Sequence, residues 1–184
     1  MHKNSLNIDE CLLVVVDVQE AFRKAIPSFA ESVSRIAMAI RGCQILGRPV
    51  VVTEQYPQGL GRTAEELLLC LSDDAEFIEK SSFSAFGQAG FAATLEKYQA
   101  KQIILCGIEA HVCVNQTAHD LLDAGYQVHL LADCVASRFE HDRRAGIDKM
   151  LASGVVASSM EMALFEMMRD SRHEKFKEIQ AIIK

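Results

Sequence analysis

The feature that most constrains the fold of this chain is a set of short apolar or β-branched runs without the alternation of a half-exposed strand. Five clear runs lie at residues 12–16, 50–53, 102–106, 127–131 and 155–157, and a weaker one lies around 77–78. Runs of this kind are typical of strands buried on both faces of a parallel sheet. The sequence therefore predicts a parallel sheet of about six strands.

Segments with the 3.6-residue apolar spacing of helices lie between these runs, at residues 29–46, 91–98, 112–124, 142–153 and 175–183. Glycine directly follows three of them, at Gly47, Gly125 and Gly154, which is a common way to end a helix. A methionine-rich segment from Met160 to Met168 is interpreted as a core helix or a subunit interface. Alternating strands and helices predict a three-layer αβα, Rossmann-like fold with helices on both faces.

Length, charge and cysteine usage exclude several classes of protein. The 184 residues contain no linker or repeat, which predicts a single domain over 1–184. A net charge of −6 argues against nucleic acid or an anionic membrane as partner, and the longest apolar run, 11–16, is too short to cross a bilayer. The six cysteines include no C-x-x-C pair, which favours reduced thiols in the cytoplasm over a disulfide framework.

Three groups at predicted strand ends are candidates for chemistry, because ligands bind at the carboxyl ends of parallel strands. Asp17 directly follows the first run, where it either caps a helix or has a functional role. Lys80 follows the weak strand; an isolated lysine would be a solvated surface group, but this one precedes small polar residues and two phenylalanines.

Cys113 is predicted to lie in the first turn of a helix just beyond the fourth strand. A helix N-terminus favours the thiolate and offers N–H groups to an oxyanion, so Cys113 is the candidate nucleophile and a lowered thiol pKa is expected. The other five cysteines are interpreted as small buried apolar residues. The spacing of His111 and His119 disfavours a Cys/His dyad, and no histidine pattern indicates a metal site.

Asp17 in V-V-D-V-Q, Lys80, and Cys113 in C-G-I-E-A-H-V-C-V resemble the Asp–Lys–Cys triad of the isochorismatase-like cysteine hydrolases. The stretch T-E-Q-Y-P-Q-G-L-G at 53–61 and the tail F-K-E-I-Q at 176–180 are similar to the isochorismatase domain-containing subgroup. The resemblance runs from residue 12 to the C-terminus. It implies a six-stranded parallel sheet in the order 3-2-1-4-5-6, which brings the ends of strands one and four together at the switch point.

The resemblance also implies a mechanism. Asp17 would be the general base, Lys80 would hold that carboxylate and favour the thiolate, and Cys113 would attack a carbonyl and form a thioester. The backbone N–H groups of Ala110 and Cys113 would form the oxyanion hole. A non-proline cis peptide bond is expected between Glu109 and Ala110, where relatives usually carry threonine in place of alanine.

The resemblance leaves the substrate open. Related nicotinamidases carry a metal-binding histidine motif after strand two, but the corresponding residues 53–57 contain no histidine, so we expect no metal and no cofactor. We expect a small, uncharged or singly polar substrate, with an amide as the leading hypothesis. We also expect the chain to form a homo-oligomer. The residues predicted to enclose it are Phe22, Gln55, Tyr56, Phe83 and Phe86. The alternatives are a non-catalytic protein that binds a partner and a ribonuclease, the latter disfavoured by the acidic charge.

Overall fold

The computed structural model describes residue 2 and residues 4–184, and it contains a six-stranded, all-parallel sheet in the order β3-β2-β1-β4-β5-β6. The strands are β1 (Cys11–Val16), β2 (Val50–Gln55), β3 (Glu76–Lys80), β4 (Gln102–Ile108), β5 (Gln127–Ala136) and β6 (Val156–Ser158). The predicted fold class and strand order are confirmed. The weak prediction for β3 has a physical reason, since this edge strand alternates between half-buried and exposed positions.

Helices connect the strands: α1 (Phe29–Ile45), α2 (Pro57–Leu60), α3 (Glu65–Leu68), α4 (Ala89–Lys97), α5 (Asn115–Asp123), α6 (Glu140–Ala152), α7 (Met160–Met168) and α8 (Phe176–Ile183). The short helices α2 and α3 lie in one long connection and were not evident from periodicity. The methionine-rich segment is a helix, and Met160, Met167 and Met168 are buried in the core while Met162 is 51% exposed. Among the described residues, no helix is both long and apolar enough to span a bilayer.

The central strand β1 shows why its run is wholly apolar. All six of its residues are buried. Leu13 and Val15 pack into a core with α1, α7 and α8, whereas Leu12, Val14 and Val16 pack into a second core with α4 and α5. Alternate residues of β1 therefore face two different helical layers, and no position is left for a polar side chain until the strand ends.

Gly107 brings the carboxyl ends of β1 and β4 together. It lies opposite Val16 in the parallel register and has a φ of +123°. A Cβ atom at this position would lie 2.2 Å from the Val16 carbonyl oxygen and 2.6 Å from its backbone nitrogen. Only glycine allows this approach, because any side chain would push the two strand ends apart.

Candidate active site

Asp17 is held at the end of β1 by its neighbours on β2 and β3. Its backbone has a φ of 51°, a left-handed conformation that aspartate adopts more readily than most residues. Thr53 Oγ1 donates a hydrogen bond of 2.7 Å to Oδ1, and the Asp17 backbone N–H donates to the Thr53 carbonyl at 3.1 Å. The residue is 1% exposed. Asp17 is therefore a buried carboxylate aimed by β2, which favours the functional interpretation over a helix cap.

Lys80 ends β3 and forms a buried ion pair with Asp17. Its Nζ lies 2.6 Å from Asp17 Oδ2, and the two side chains are 0% and 1% exposed. The ammonium also donates to Gln55 Oε1 at 2.8 Å and to the carbonyl oxygens of Ser82 and Phe83 at 3.2 and 3.0 Å. Burying two charges costs several kcal/mol per ion unless partners satisfy them, and these acceptors do so. Lys80 is therefore a buried, paired cation and differs from an ordinary solvated surface lysine.

Cys113 lies in a single π-helical turn, Ala110–Val114, which we call the Cys113 turn and which leads into α5. The residue is 8% exposed. Burial, followed by the negative charge of Asp17, raises the pKa of the Cys113 thiol to about 12, while Lys80 acts in the opposite direction. The expected lowered pKa is wrong, because burial and the carboxylate outweigh the cation. The Cys113 thiol lies close enough to Asp17 for the carboxylate to disfavour ionisation of the sulfur.

A cis peptide bond lies between the end of β4 and the Cys113 turn. The non-proline cis bond joins Ile108 and Glu109, so the prediction of a cis bond between Glu109 and Ala110 is wrong by one residue. β4 stays paired with β5 through Ile108 and ends there. In the described part of the chain, no group outside the Cys113 turn accepts a hydrogen bond from the N–H of Ala110 or Cys113.

Gln55 is engaged by the protein itself. Its Oε1 accepts from Lys80, and its Nε2 donates to the Ser81 carbonyl at 2.8 Å. Its backbone N–H donates to Oε1 of the fully buried Gln19 at 2.8 Å. Gln55 therefore orients Lys80, and both its side-chain polar atoms have protein partners. Its contact with a substrate stays a prediction.

The four aromatic residues predicted to enclose a substrate differ in their surroundings. Tyr56 and Phe83 are 59% and 55% exposed at the ends of β2 and β3. Phe22 is half-buried against the core that contains α1. Phe86 packs edge-on against Phe91 and Tyr126 at 6.2 and 6.4 Å between ring centroids. Phe86 is thus mainly a packing residue of the α4–α5 layer, because its ring finds apolar partners there.

Two further features are the grouping of possible metal ligands and the position of a cavity. Within the described residues, no three His, Cys, Asp or Glu side chains are grouped so that they could hold a metal ion. A cavity of about 480 Å³ lies near the amino end of β2, where Arg48, Asp74 and Tyr98 line it. The Asp17, Lys80 and Cys113 side chains lie instead at the carboxyl edge, where parallel sheets bind ligands.

Sequence reasoning missed the groups that hold the Cys113 turn. Glu109 is 6% exposed, and its Oε1 accepts from the backbone N–H and the Nε of Arg138 at 2.9 and 3.1 Å. Ser137 Oγ lies 3.0 Å from His111 Nδ1. The available signal was a polar pair, Ser137–Arg138, directly after the buried apolar residues 134–136 that end β5, the same position relative to a strand end that identified Asp17.

Comparison with known proteins agrees with this geometry. A family model described as the isochorismatase domain matches residues 11–162. The chain belongs to the isochorismatase domain family. Isochorismatase domain-containing protein 1 of Salmo salar is 41% identical over 168 residues, which is 91% of this chain and 59% of that protein. This member therefore spans less than two thirds of the length of that relative.

Solved structures extend the family comparison. The MAR1 ribonuclease of Caenorhabditis elegans is 37% identical, with a TM-score of 0.93 over 97% of this chain and 92% of that one. The product of the ycaC gene of Escherichia coli, described as an octameric hydrolase of unknown specificity, is 19% identical with a TM-score of 0.90, over 97% and 89% of the two chains. The second likeness shows a shared isochorismatase-like fold.

Proposed function

We propose that this protein is a metal-independent cysteine hydrolase that acts on a small amide-like carbonyl compound through a thioester. The observation that carries the proposal is the buried Lys80–Asp17 pair at 2.6 Å, with the Asp17 charge acting on the Cys113 thiol. Burying charged groups costs free energy, so a chain rarely keeps them without a role. Their grouping at the carboxyl edge of a parallel sheet favours a reactive site.

The first step is attack of the Cys113 sulfur on the substrate carbonyl carbon. Because the thiol pKa is about 12, the proton must leave as the sulfur–carbon bond forms, and Asp17 accepts it. Lys80 keeps the Asp17 carboxylate in place from the other side. The carbonyl π electrons move to oxygen, and the N–H groups of Ala110 and Cys113 stabilise the resulting oxyanion.

Collapse of the tetrahedral intermediate breaks the bond to the leaving group, which takes the proton from Asp17. A water molecule then attacks the thioester carbonyl while Asp17 accepts the proton of that water. The carbon–sulfur bond breaks, the carboxylic acid is released, and the sulfur takes the proton from Asp17, which regenerates Cys113. One proton thus shuttles between Asp17 and the reacting atoms in each half-reaction, and no redox partner is needed. Removing an oxyanion donor costs about 3 kcal/mol in other enzymes, so both N–H groups matter.

The chemistry around the site favours small substrates with an apolar part. Tyr56 and Phe83 present exposed rings at the ends of β2 and β3. An aromatic rim of this kind contacts apolar groups and excludes water. Lys80 and Asp17 satisfy each other, which leaves little net charge for a multiply charged substrate.

The test is a screen of primary amides, carbamoyl compounds, esters and nitriles, with product release as the readout. We expect hydrolysis of at least one compound, and loss of that activity in Cys113→Ala. Cys70→Ala is the matched control, because Cys70 is a partly exposed free thiol on another surface. Full activity in Cys113→Ala would exclude the proposed nucleophile.

A ribonuclease is the second candidate, favoured by the likeness to the MAR1 ribonuclease. The net charge of −6 opposes RNA binding, since phosphate contacts need basic side chains. Incubating the protein with RNA and with the amide panel separates the two candidates. RNA cleavage that survives in Cys113→Ala would point to chemistry independent of the proposed triad.

Self-association and a cytoplasmic location complete the proposal. The octameric relative and the exposed aromatic residues Tyr56, Phe83 and Phe139 support a homo-oligomer. All six cysteines are free, as expected for a reducing compartment. Light scattering measures the mass of the particle. A non-catalytic partner-binding role is the alternative, and absence of turnover across the whole panel would favour it.

A further inference from the structure

The residues that follow β5 hold the Cys113 turn through side-chain contacts. Arg138 binds Glu109 through both its backbone N–H and its Nε, at 2.9 and 3.1 Å. One residue earlier, Ser137 Oγ contacts Nδ1 of His111 at 3.0 Å. Two successive residues of one connection therefore bind two alternate residues around the turn. We call this arrangement the β5 clasp (Ser137, Arg138, Glu109 and His111).

Glu109 is the pivot of this arrangement. Its carbonyl oxygen accepts hydrogen bonds from the N–H groups of Val112 and Val114 at 3.1 and 3.3 Å, which close the Cys113 turn. Its carboxylate is 7% exposed and pairs with the half-exposed Arg138. Helix α6 supports the other side of the turn, since a Cβ on Gly146 would lie 2.8 Å from the His111 Cα. These contacts leave the Cys113 turn little freedom to move.

Glu109 also acts on the thiol electrostatically. Three charged groups from three elements face Cys113: Asp17 after β1, Lys80 at the end of β3, and Glu109 after β4. Asp17 and Glu109 raise the thiol pKa, and Lys80 lowers it. Arg138 neutralises Glu109, so without it an unpaired buried carboxylate would oppose the thiolate more strongly.

We propose that Arg138 is a positioning residue that acts through Glu109 to hold the Cys113 turn and keep its sulfur reactive. The proposal rests on the proposed function, in which Cys113 is the nucleophile. Arg138 need not touch the substrate for this role. Its backbone N–H and its guanidinium Nε both donate to the same oxygen, Glu109 Oε1, and two donors from one residue hold that oxygen in place.

The experiment measures the rate at which iodoacetamide alkylates Cys113, by mass spectrometry of its peptide, between pH 6 and 10. The proteins are wild type, Arg138→Gln, Arg138→Lys and Glu109→Gln. Arg144→Gln is the matched control, because Arg144 forms a solvent-exposed ion pair with Glu140 on α6. Thermal unfolding of each variant shows whether it is folded. Alkylation reports the thiol whether or not a substrate is turned over, so failure of the proposed function is seen separately, in the amide panel.

We expect Arg138→Gln to alkylate roughly tenfold more slowly at a given pH, equivalent to a thiol pKa higher by about one unit. Arg138→Lys should recover part of the rate, and Arg144→Gln should match wild type. Glu109→Gln keeps an acceptor oxygen but loses the charge, so its profile should shift to lower pH. A folded Arg138→Gln with the wild-type profile, or a Glu109→Gln profile that does not shift, would overturn the proposal.

Discussion

The ammonium of Lys80 and the carboxylate of Asp17 lie 2.6 Å apart, and neither side chain is more than 1% exposed. They reach this position from strands separated by β2, and Thr53 and Gln55 of β2 each bind one of them. The pair therefore depends on the sheet more than on loops. Asp17 raises the pKa of the Cys113 thiol and is also the proposed base. Loss of its charge should therefore raise the reactivity of the thiol but lower the rate of hydrolysis.

Asp17→Asn should make Cys113 easier to alkylate while strongly slowing hydrolysis. The substitution removes a charge that raises the thiol pKa and leaves Lys80, which lowers it. We expect iodoacetamide labelling at pH 8 to speed up about tenfold, and amide hydrolysis to fall by about 10²–10⁴ through loss of the base. Asp148→Asn, on the exposed face of α6, is the control. Slower labelling in Asp17→Asn would contradict the assigned electrostatics.

Hydrolysis should persist after treatment with EDTA. No group of three ligating side chains is present among the described residues, and the triad needs no Lewis acid. Elemental analysis of the purified protein should find less than one equivalent of zinc, iron or manganese per chain. Loss of activity in EDTA that added metal restores would show this prediction to be wrong.

Phe83→Ala and Phe86→Ala should have different effects. Phe83 is 55% exposed, so its removal should change the relative rates across the amide panel with less than about 0.5 kcal/mol lost from the free energy of unfolding. Phe86 packs on Phe91 and Tyr126, so its removal should cost about 2–4 kcal/mol. Urea unfolding and substrate profiles separate the two. Equal stability losses would refute this distinction.

Gly107→Ala should disrupt the junction of β1 and β4. The added Cβ would meet the Val16 backbone at 2.2 Å, and a φ of +123° is strained for alanine. We expect a loss of more than about 4 kcal/mol or failure to fold. Gly90→Ala is the control, because no atom lies within 4 Å of its Cβ position in α4, and it should be stabilising by about 0.5–1 kcal/mol. Comparable unfolding midpoints for Gly107→Ala and Gly90→Ala would contradict this prediction.

The buried His129 should make the fold sensitive to acid. It is 0% exposed on β5, and burial lowers its pKa below the usual 6.5, with Glu166 opposing this in part. The folded state therefore binds fewer protons than the unfolded state below pH 6.5. The free energy of unfolding should be highest above that pH and should fall as the pH is lowered, by up to about 1.4 kcal/mol per pH unit. His129→Gln should flatten this dependence between pH 7.5 and 5.5, and the 80%-exposed His141→Gln should not.

The sheet was largely predictable because its apolar runs carry a direct physical signal. Residues of β1 such as Val14 and Val15 face two different cores, so every position must be apolar. Asp17 stands out for the same reason, as the first polar residue after such a run. Lys80 needed the resemblance, since the edge strand that carries it alternates in exposure and gives a weak pattern.

The contacts within the site were less predictable, because they depend on groups far apart in the chain. Gln55 binds Lys80 only because β2 and β3 pair in register at these residues. The thiol pKa of Cys113 reflects a balance between burial and charges brought by β1, β3 and the β4 end, which local position in a helix does not reveal. Periodicity also gives no information on which peptide bond before Cys113 is cis.

The carbonyl oxygens of Ser82 and Phe83 hold the Lys80 ammonium, and these are atoms that every amino acid supplies. Side chains at both positions are therefore free to diverge during evolution without loss of the cation's contacts. The proposed substrate rim can therefore change by single substitutions while the charged pair stays intact. Substrate preference can therefore change during evolution through a series of variants that all keep the charged pair.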